Sequence, residues 1–84
     1  MSVVNLKIVT PEKIFLETSC DMVVAPGSEG EFGVLFNHVP LLSNLGEGVV
    51  KIYNKEEVSK EVKISSGVCH VKDNQVIILA ESCC

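Results

Sequence analysis

The stretch V-A-P-G-S-E-G-E-F-G-V-L-F-N-H-V-P-L-L-S-N-L, residues 24–45, contains more turn-forming residues than any other part of the sequence. Glycine permits positive φ and proline restricts φ, so this composition predicts a shaped loop that needs no helix to hold it. The loop-shaping residues are Gly27, Gly30, Gly33 and Pro40. Its polar residues, expected at the surface, are Glu29, Glu31, Asn37 and His38. Shaped loops on a β scaffold are frequent contact surfaces.

Short alternating segments surround this stretch on both sides. In residues 1–10, for example, Val4, Leu6 and Ile8 alternate with polar neighbours, which is the pattern of a half-buried strand. No segment has a sustained 3.6-residue apolar period. The sequence therefore predicts one domain, residues 1–84, that is all-β: an antiparallel β-sandwich of about nine or ten short strands. The predicted strands are 1–10, 13–17, 19–25, 32–35, 41–45, 49–53, 58–64, 68–72 and 75–80.

Local patterns add three finer expectations. Asp73 and Asn74 tolerate left-handed φ and predict a two-residue hairpin between the last two strands. Ile14 and Leu16 are expected to share one face of their strand. Residues 76–80 are apolar without alternation, which predicts a central strand that is covered on both faces.

Composition excludes several classes of function. The 84 residues are 46% hydrophobic and 21% charged, as in packed globular domains, and the net charge is −4. Seven scattered basic residues do not make a phosphate-binding face, so we expect no nucleic-acid partner. The longest apolar run, Val76 to Ala80, is far shorter than a membrane-spanning segment, so we expect no direct membrane insertion.

The four cysteines raise the question of disulfides or a metal site. No secretory signal precedes them, so we expect four reduced thiols, with Cys83 and Cys84 adjacent at the end of the sequence. Cys69 and His70 are neighbours on a predicted strand and should point to opposite faces, and no C-x-x-C occurs. Cys69 is expected to be a buried apolar filler. A small Cys/His metal-binding domain remains an alternative.

Enzymatic motifs are lacking. Glu29 and Glu31 could in principle act as an acid/base pair, and His38 as a base, but no nucleophile motif such as G-x-S-x-G accompanies them. The glycines lack the Lys-Ser/Thr of a P-loop. We expect no catalytic residue, no metal, no cofactor and no small-molecule substrate.

Four ordered blocks resemble one family. The pattern G-x-x-G-x-x-G-V-L-x-x-H-x-P-L begins at Gly27, and it is joined by V-T-P-E-K (9–13), I-S-S-G-V (64–68) and V-I-I-L-A-E (76–81). Together they resemble the N-terminal β-domain of the epsilon subunit of rotary F-type ATP synthases, over essentially the whole chain. The resemblance also implies a β-sandwich.

The resemblance implies a function without chemistry. Such a subunit belongs to the central stalk, binds the gamma subunit with one flank and the c-ring with another, and couples proton-driven rotation to ATP synthesis. It implies c-ring contact by Glu31, Asn37 and His38. It also implies a peripheral location on the cytoplasmic face of the bacterial inner membrane. A β-sandwich adaptor that binds peptides along a sheet edge is a further alternative.

The sequence departs from the family at two places. Phe36 stands where the family usually has proline, two residues before the loop histidine. The family usually continues beyond the equivalent of Glu81 into a two-helix hairpin, whereas this sequence stops at Cys84. We therefore expect a subunit that couples but does not autoinhibit.

Overall fold

The computed structural model describes residues 3–82, which form nine strands and no helix. The all-β class and the number of strands predicted from the sequence are confirmed. The strands are β1 (Val4–Val9), β2 (Ile14–Cys20), β3 (Met22–Gly27), β4 (Gly30–Val34), β5 (Leu41–Leu45), β6 (Gly48–Asn54), β7 (Glu57–Ile64), β8 (Gly67–Lys72) and β9 (Gln75–Ala80).

The nine strands form one continuous sheet that curls into two facing halves. The first half, sheet I, has the order β2-β1-β9-β8-β5, and the second, sheet II, has the order β4-β3-β6-β7. The halves join where β3 meets β5 at the pair Gly27 and Leu45. Residues from both halves form a single hydrophobic core, so the curled sheet packs as a sandwich.

The direction of one strand pair differs from the prediction. β1 and β9 are parallel, with Val9 opposite Leu79, whereas all the other pairs are antiparallel. The prediction of a wholly antiparallel sheet was wrong at this pair. Strands 4–9 and 75–80 lie at opposite ends of the sequence, and no local turn between them could reveal their direction.

The core follows the alternation that the sequence shows. In β1, Val4, Leu6 and Ile8 are buried, and in β6, Val50 and Ile52 are buried. Burying each such side chain contributes about 1.5–3 kcal/mol. Among residues 3–82 no buried side-chain nitrogen or oxygen lacks a hydrogen-bond partner, so the core is apolar throughout.

Two strands differ from their predicted faces. β2 contains a register shift, with Ile8 opposite Leu16 and Val9 opposite Ile14. Ile14 therefore points outward while Phe15 and Leu16 both pack against the core, because a bulge inverts the side-chain alternation. β9 is central between β1 and β8, but Leu79 is exposed, so this strand is covered on one face only.

Tight turns gather at two ends of the sandwich. The turn residues Asp73 and Asn74 have φ of 51° and 61°, which confirms the predicted two-residue hairpin, and Lys55 and Glu56 form a similar turn. We call this end, which also holds residues 35–38, the Asn74 end. The opposite end holds the β3–β4 turn and the pair Gly27–Leu45, and we call it the Gly27 end.

Candidate functional site

The glycine-rich stretch is three strands with tight turns rather than one loop. Gly27 pairs with Gly30 across a two-residue turn made of Ser28 and Glu29. Gly30 has a φ of 132°, which side chains rarely adopt, and a Cβ on Gly27 would lie 2.5 Å from the carbonyl oxygen of Gly30. A tight turn at this place therefore requires glycine at both positions.

Gly33 was predicted both to lie in the strand over residues 32–35 and to shape the loop. It lies inside β4, opposite Val24, and its φ is outside the positive region. A Cβ there would make an ordinary contact with the sulfur of Met22, at 3.6 Å. Gly33 is thus not a loop residue, and neither its backbone conformation nor its surroundings require a glycine. Pro40 is exposed immediately before β5, and its loop-shaping role stays a prediction.

The three predicted contact residues do not lie in one loop. Glu31 is an exposed residue of β4 opposite Pro26, near the Gly27 end. Asn37 is exposed and His38 is half-buried, and both follow the other end of β4. The segment from Glu31 to Val34 alone spans about 10 Å at 3.3 Å per residue. The structure therefore separates Glu31 from Asn37 and His38 by the length of β4.

Residues 35–38 form a hydrogen-bonded turn at the Asn74 end. The backbone N–H of His38 donates to the carbonyl oxygen of Leu35 at 3.1 Å, and Asn37 has a φ of 64°. Positive φ at the third turn residue is typical of a type II turn, in which the second residue, here Phe36, is often proline. Phe36 therefore occupies the turn without preventing its formation.

Two more contacts define this turn. The side-chain oxygen of Asn74 accepts a hydrogen bond from the backbone N–H of Asn37 at 2.6 Å. The His38 ring nitrogen Nδ1 lies 2.7 Å from the carbonyl oxygen of Val39. A carbonyl oxygen only accepts, so Nδ1 carries the proton and Nε2 is left for other contacts.

A row of apolar side chains crosses the outer face of sheet I. Neighbouring strands place Ile14, Val9, Leu79 and Val68 in register, each beside the next. We call these four residues the outer apolar row. Leu79 is 53% exposed, so part of the row faces solvent. Sequence reasoning missed the row, although the lack of alternation in residues 76–80 was a usable signal for it.

A second set of residues extends the outer apolar row. Leu42 of β5 lies opposite His70, which lies opposite Ile77 of β9, on the same outer face. Leu42 is 71% exposed. An open groove of about 610 Å³ runs beside the row toward the Gly27 end, and its lining includes Val9, Pro11 and Leu79. Contiguous exposed apolar surface of this kind marks sites of protein contact.

The two cysteines that the structure describes, Cys20 and Cys69, are poor metal ligands. Cys20 and Cys69 are free and buried, and burial raises the pKa of the Cys69 thiol to about 11. Burial, followed by the Asp21 carboxylate, also raises the pKa of Cys20. Both thiols therefore stay protonated near neutral pH, whereas metals bind the thiolate.

The arrangement around the thiols gives no ligand set. His70 is exposed on the face opposite Cys69, as predicted. Residues 3–82 contain no cluster of three or more His, Cys, Asp or Glu side chains placed to hold a metal ion. Cys83 and Cys84 lie outside the described residues.

The fold and its surfaces define the class of protein: a small β-sandwich domain with an exposed apolar outer face. The chain belongs to the family described as the ATP synthase delta/epsilon chain, β-sandwich domain, whose model matches residues 3–84. No helix among residues 3–82 is long and apolar enough to span a membrane.

Curated relatives support this assignment. The chain is 46% identical over 77 residues to the ATP synthase epsilon chain of Leptospira borgpetersenii, which covers 92% of this chain and 60% of the relative. It is 47% identical over 78 residues to that of Nitratidesulfovibrio vulgaris, with 93% and 58% covered. The chain thus spans about three fifths of the length of these relatives.

Solved structures show the same fold. A chain of the Euglena gracilis mitochondrial ATP synthase, in the OSCP/F1/c-ring structure in rotational state 1, superposes with a TM-score of 0.87 at 23% identity, covering 96% of this chain and 52% of that one. A chain of the Tetrahymena thermophila mitochondrial ATP synthase central stalk and c-ring superposes with a TM-score of 0.79 at 21% identity, covering 96% and 65%.

Proposed function

We propose that this chain is a non-catalytic central-stalk subunit of a proton-translocating F-type ATP synthase. In this role it joins the gamma subunit to the c-ring, so that ion-driven rotation is transmitted to the sites of ATP synthesis. Membership of the delta/epsilon family supports the proposal. The single observation that carries the contact role is the outer apolar row. Contiguous apolar side chains that remain exposed on a packed domain mark a surface at which another protein binds.

We assign the outer apolar row to the gamma subunit. Leu79 and Leu42 are exposed on the outer face of sheet I, and burying an exposed leucine contributes about 1.5–3 kcal/mol. Few side chains on this face would need to be ordered on binding, because strands β9 and β8 lie in the middle of sheet I. A preorganised apolar face of this kind favours a persistent interface.

We assign the c-ring contact to Glu31, Asn37 and His38, on the basis of the family resemblance. Because these residues lie at opposite ends of β4, a ring surface that contacts all three must run along the length of that strand. Within the described part of the chain β4 pairs only with β3, so its other side is open to such a contact. The chain would then lie at the cytoplasmic face of the bacterial inner membrane without entering it.

The gamma contact is tested by a binding titration with a gamma–c-ring complex freed of its own epsilon chain. Leu79→Asp should weaken binding by at least 10-fold, since it buries an unpaired carboxylate in an apolar interface. The matched control is Val58→Asp on β7, where the side chain is 42% exposed on sheet II. Equal affinities for the two variants, both folded by circular dichroism, would count against the assignment.

The c-ring contact is tested by reversing charge on β4. Glu31→Lys combined with His38→Ala should weaken recovery of c subunits while gamma is retained through the outer apolar row. Glu57→Lys, an exposed residue at the start of β7, makes the same change in charge and serves as the control. If the double variant and the control recover c subunits alike, these residues do not form the contact.

A further inference from the structure

A hydrogen bond joins two turns that are distant in sequence. The side-chain oxygen of Asn74, in the β8–β9 turn, accepts from the backbone N–H of Asn37 at 2.6 Å. Neither the family pattern nor the sequence reasoning gave Asn74 any role beyond its own hairpin. The bond holds the turn that carries Asn37 and His38, two of the residues to which the proposed function assigns a partner contact.

The turn at residues 35–38 has little other support. Residues 35–40 pair with no strand, and Leu35 and Val39 are largely exposed. Phe36 stands at the position where proline would restrict the backbone of a type II turn. Within residues 3–82, the bond to Asn74 is the only hydrogen bond from this segment to another element.

Asn74 itself is firmly placed. Its carbonyl oxygen accepts a hydrogen bond from the backbone N–H of Asn5 at 3.0 Å, which ties the β8–β9 turn to β1. The strands on either side are anchored by the fully buried Val71 and Val76. The Asn74 side chain therefore links the turn at residues 35–38 to a hairpin that is fixed in sheet I.

We propose that Asn74 is a positioning residue that holds residues 35–38 in the shape that the partner binds. This inference rests on the proposed function, because it concerns the same contact. If the turn leaves that shape for part of the time, the apparent dissociation constant rises by the inverse of the fraction that keeps it. Loss of the Asn74 side chain should therefore weaken binding without weakening the sandwich.

The decisive variant is Asn74→Gly. Asp-Gly is among the residue pairs most favourable for a type I′ turn, so the variant keeps or strengthens the hairpin while it removes the acceptor. Asn74→Asp retains an oxygen at the same position and should behave as the wild type. Glu56→Gly is the matched control, because Glu56 has a φ of 66° at the equivalent position of the β6–β7 turn.

Two measurements are made on each variant: affinity for the gamma–c-ring complex freed of its epsilon chain, and hydrogen exchange at the Asn37 amide. Asn74→Gly should bind roughly 3- to 10-fold more weakly, as expected for the loss of one hydrogen bond, and its Asn37 amide should exchange faster. Amides of the core strands should exchange as in the wild type. Asn74→Asp and Glu56→Gly should change neither the affinity nor the exchange rate by more than about 2-fold, because neither variant removes the hydrogen bond to Asn37.

The outcomes separate the two proposals. If the wild-type chain binds and Asn74→Gly binds equally well, the positioning role of Asn74 is wrong although the proposed function stands. If Glu56→Gly weakens binding as much as Asn74→Gly, the effect is not specific to the turn and the inference also fails. If the wild-type chain does not bind at all, the proposed function fails and this inference fails with it.

Discussion

Gly27 and Gly30 face each other across the β3–β4 turn, and a Cβ on Gly27 would lie 2.5 Å from the carbonyl oxygen of Gly30. Gly30→Ala places a side chain at a φ of 132°, so we expect a loss of about 1–3 kcal/mol in the free energy of unfolding. Urea denaturation measures this loss. Gly27→Ala should lower the free energy of unfolding by a similar amount, because the turn must widen to accommodate the methyl group.

Gly33→Ala is the matched comparison. Gly33 lies in β4 with φ outside the positive region and has room for a methyl group beside Met22, so alanine should leave the free energy of unfolding unchanged or raise it by about 0.5–1 kcal/mol. A loss as large as that of Gly30→Ala would show that Gly33 shapes the backbone after all.

Neighbouring residues of β9 should respond in opposite ways. Ile78 is fully buried, so Ile78→Ala should lower the free energy of unfolding by about 2–5 kcal/mol. Leu79→Ala should change it by less than about 1 kcal/mol in the isolated chain, since the side chain faces solvent. Thermal denaturation of the two variants checks this difference. Equal losses would mean that the outer face of β9 is covered.

Asp21 stabilises the β6–β7 hairpin from outside it. Its side-chain oxygen Oδ2 accepts a hydrogen bond from the backbone N–H of Lys55 at 2.6 Å. Asp21→Ala should therefore lower the free energy of unfolding by about 0.5–1.5 kcal/mol. Asp21→Asn keeps an acceptor and should retain most of the stability. Chemical denaturation compares the three proteins, and a similar loss in both variants would contradict the role of the hydrogen bond.

Alkaline pH should destabilise the domain through Cys69. Burial raises the pKa of this thiol from 9.0 to about 11, so between these values the unfolded chain releases a proton that the folded chain keeps. The contribution of the protonated Cys69 thiol to the free energy of unfolding is complete below pH 9 and is lost as the pH rises through about 11. The pKa difference of two units corresponds to a loss of about 3 kcal/mol in the free energy of unfolding.

The variant Cys69→Val isolates this effect. Its free energy of unfolding, measured in reducing buffer from pH 8 to pH 11, should fall less steeply than that of the wild type. The free energy of unfolding of Cys69→Val should still fall somewhat with rising pH, because burial also raises the pKa of Cys20. Parallel curves for the two proteins would exclude Cys69 as the source.

Local chemistry explains why so many elements were predictable. The Asp73-Asn74 turn follows from the tolerance of these two residues for left-handed φ, and the structure has both of them there. Buried Leu6 and Ile8 follow from alternation along β1. Such features depend only on a residue and its neighbours in the sequence, so they can be predicted without knowledge of the tertiary structure.

Features that depend on distant segments were not predictable. The parallel pairing of β1 with β9 joins strands at opposite ends of the chain, and the β2 bulge places Ile14 and Leu16 on opposite faces. An apolar run such as residues 76–80 is compatible with burial on both faces or with one face left open for a partner. Only packing decides between these arrangements.

The candidate site shows the same division. Sequence by itself determined the family, the all-β class and the residue types in the contact segment, because these reside in ordered blocks and local periodicity. Tertiary structure alone aligned the outer apolar row and brought Asn74 to Asn37. Those relationships arise from strand register and sheet curl, which are set by burial of the whole core rather than by any local stretch.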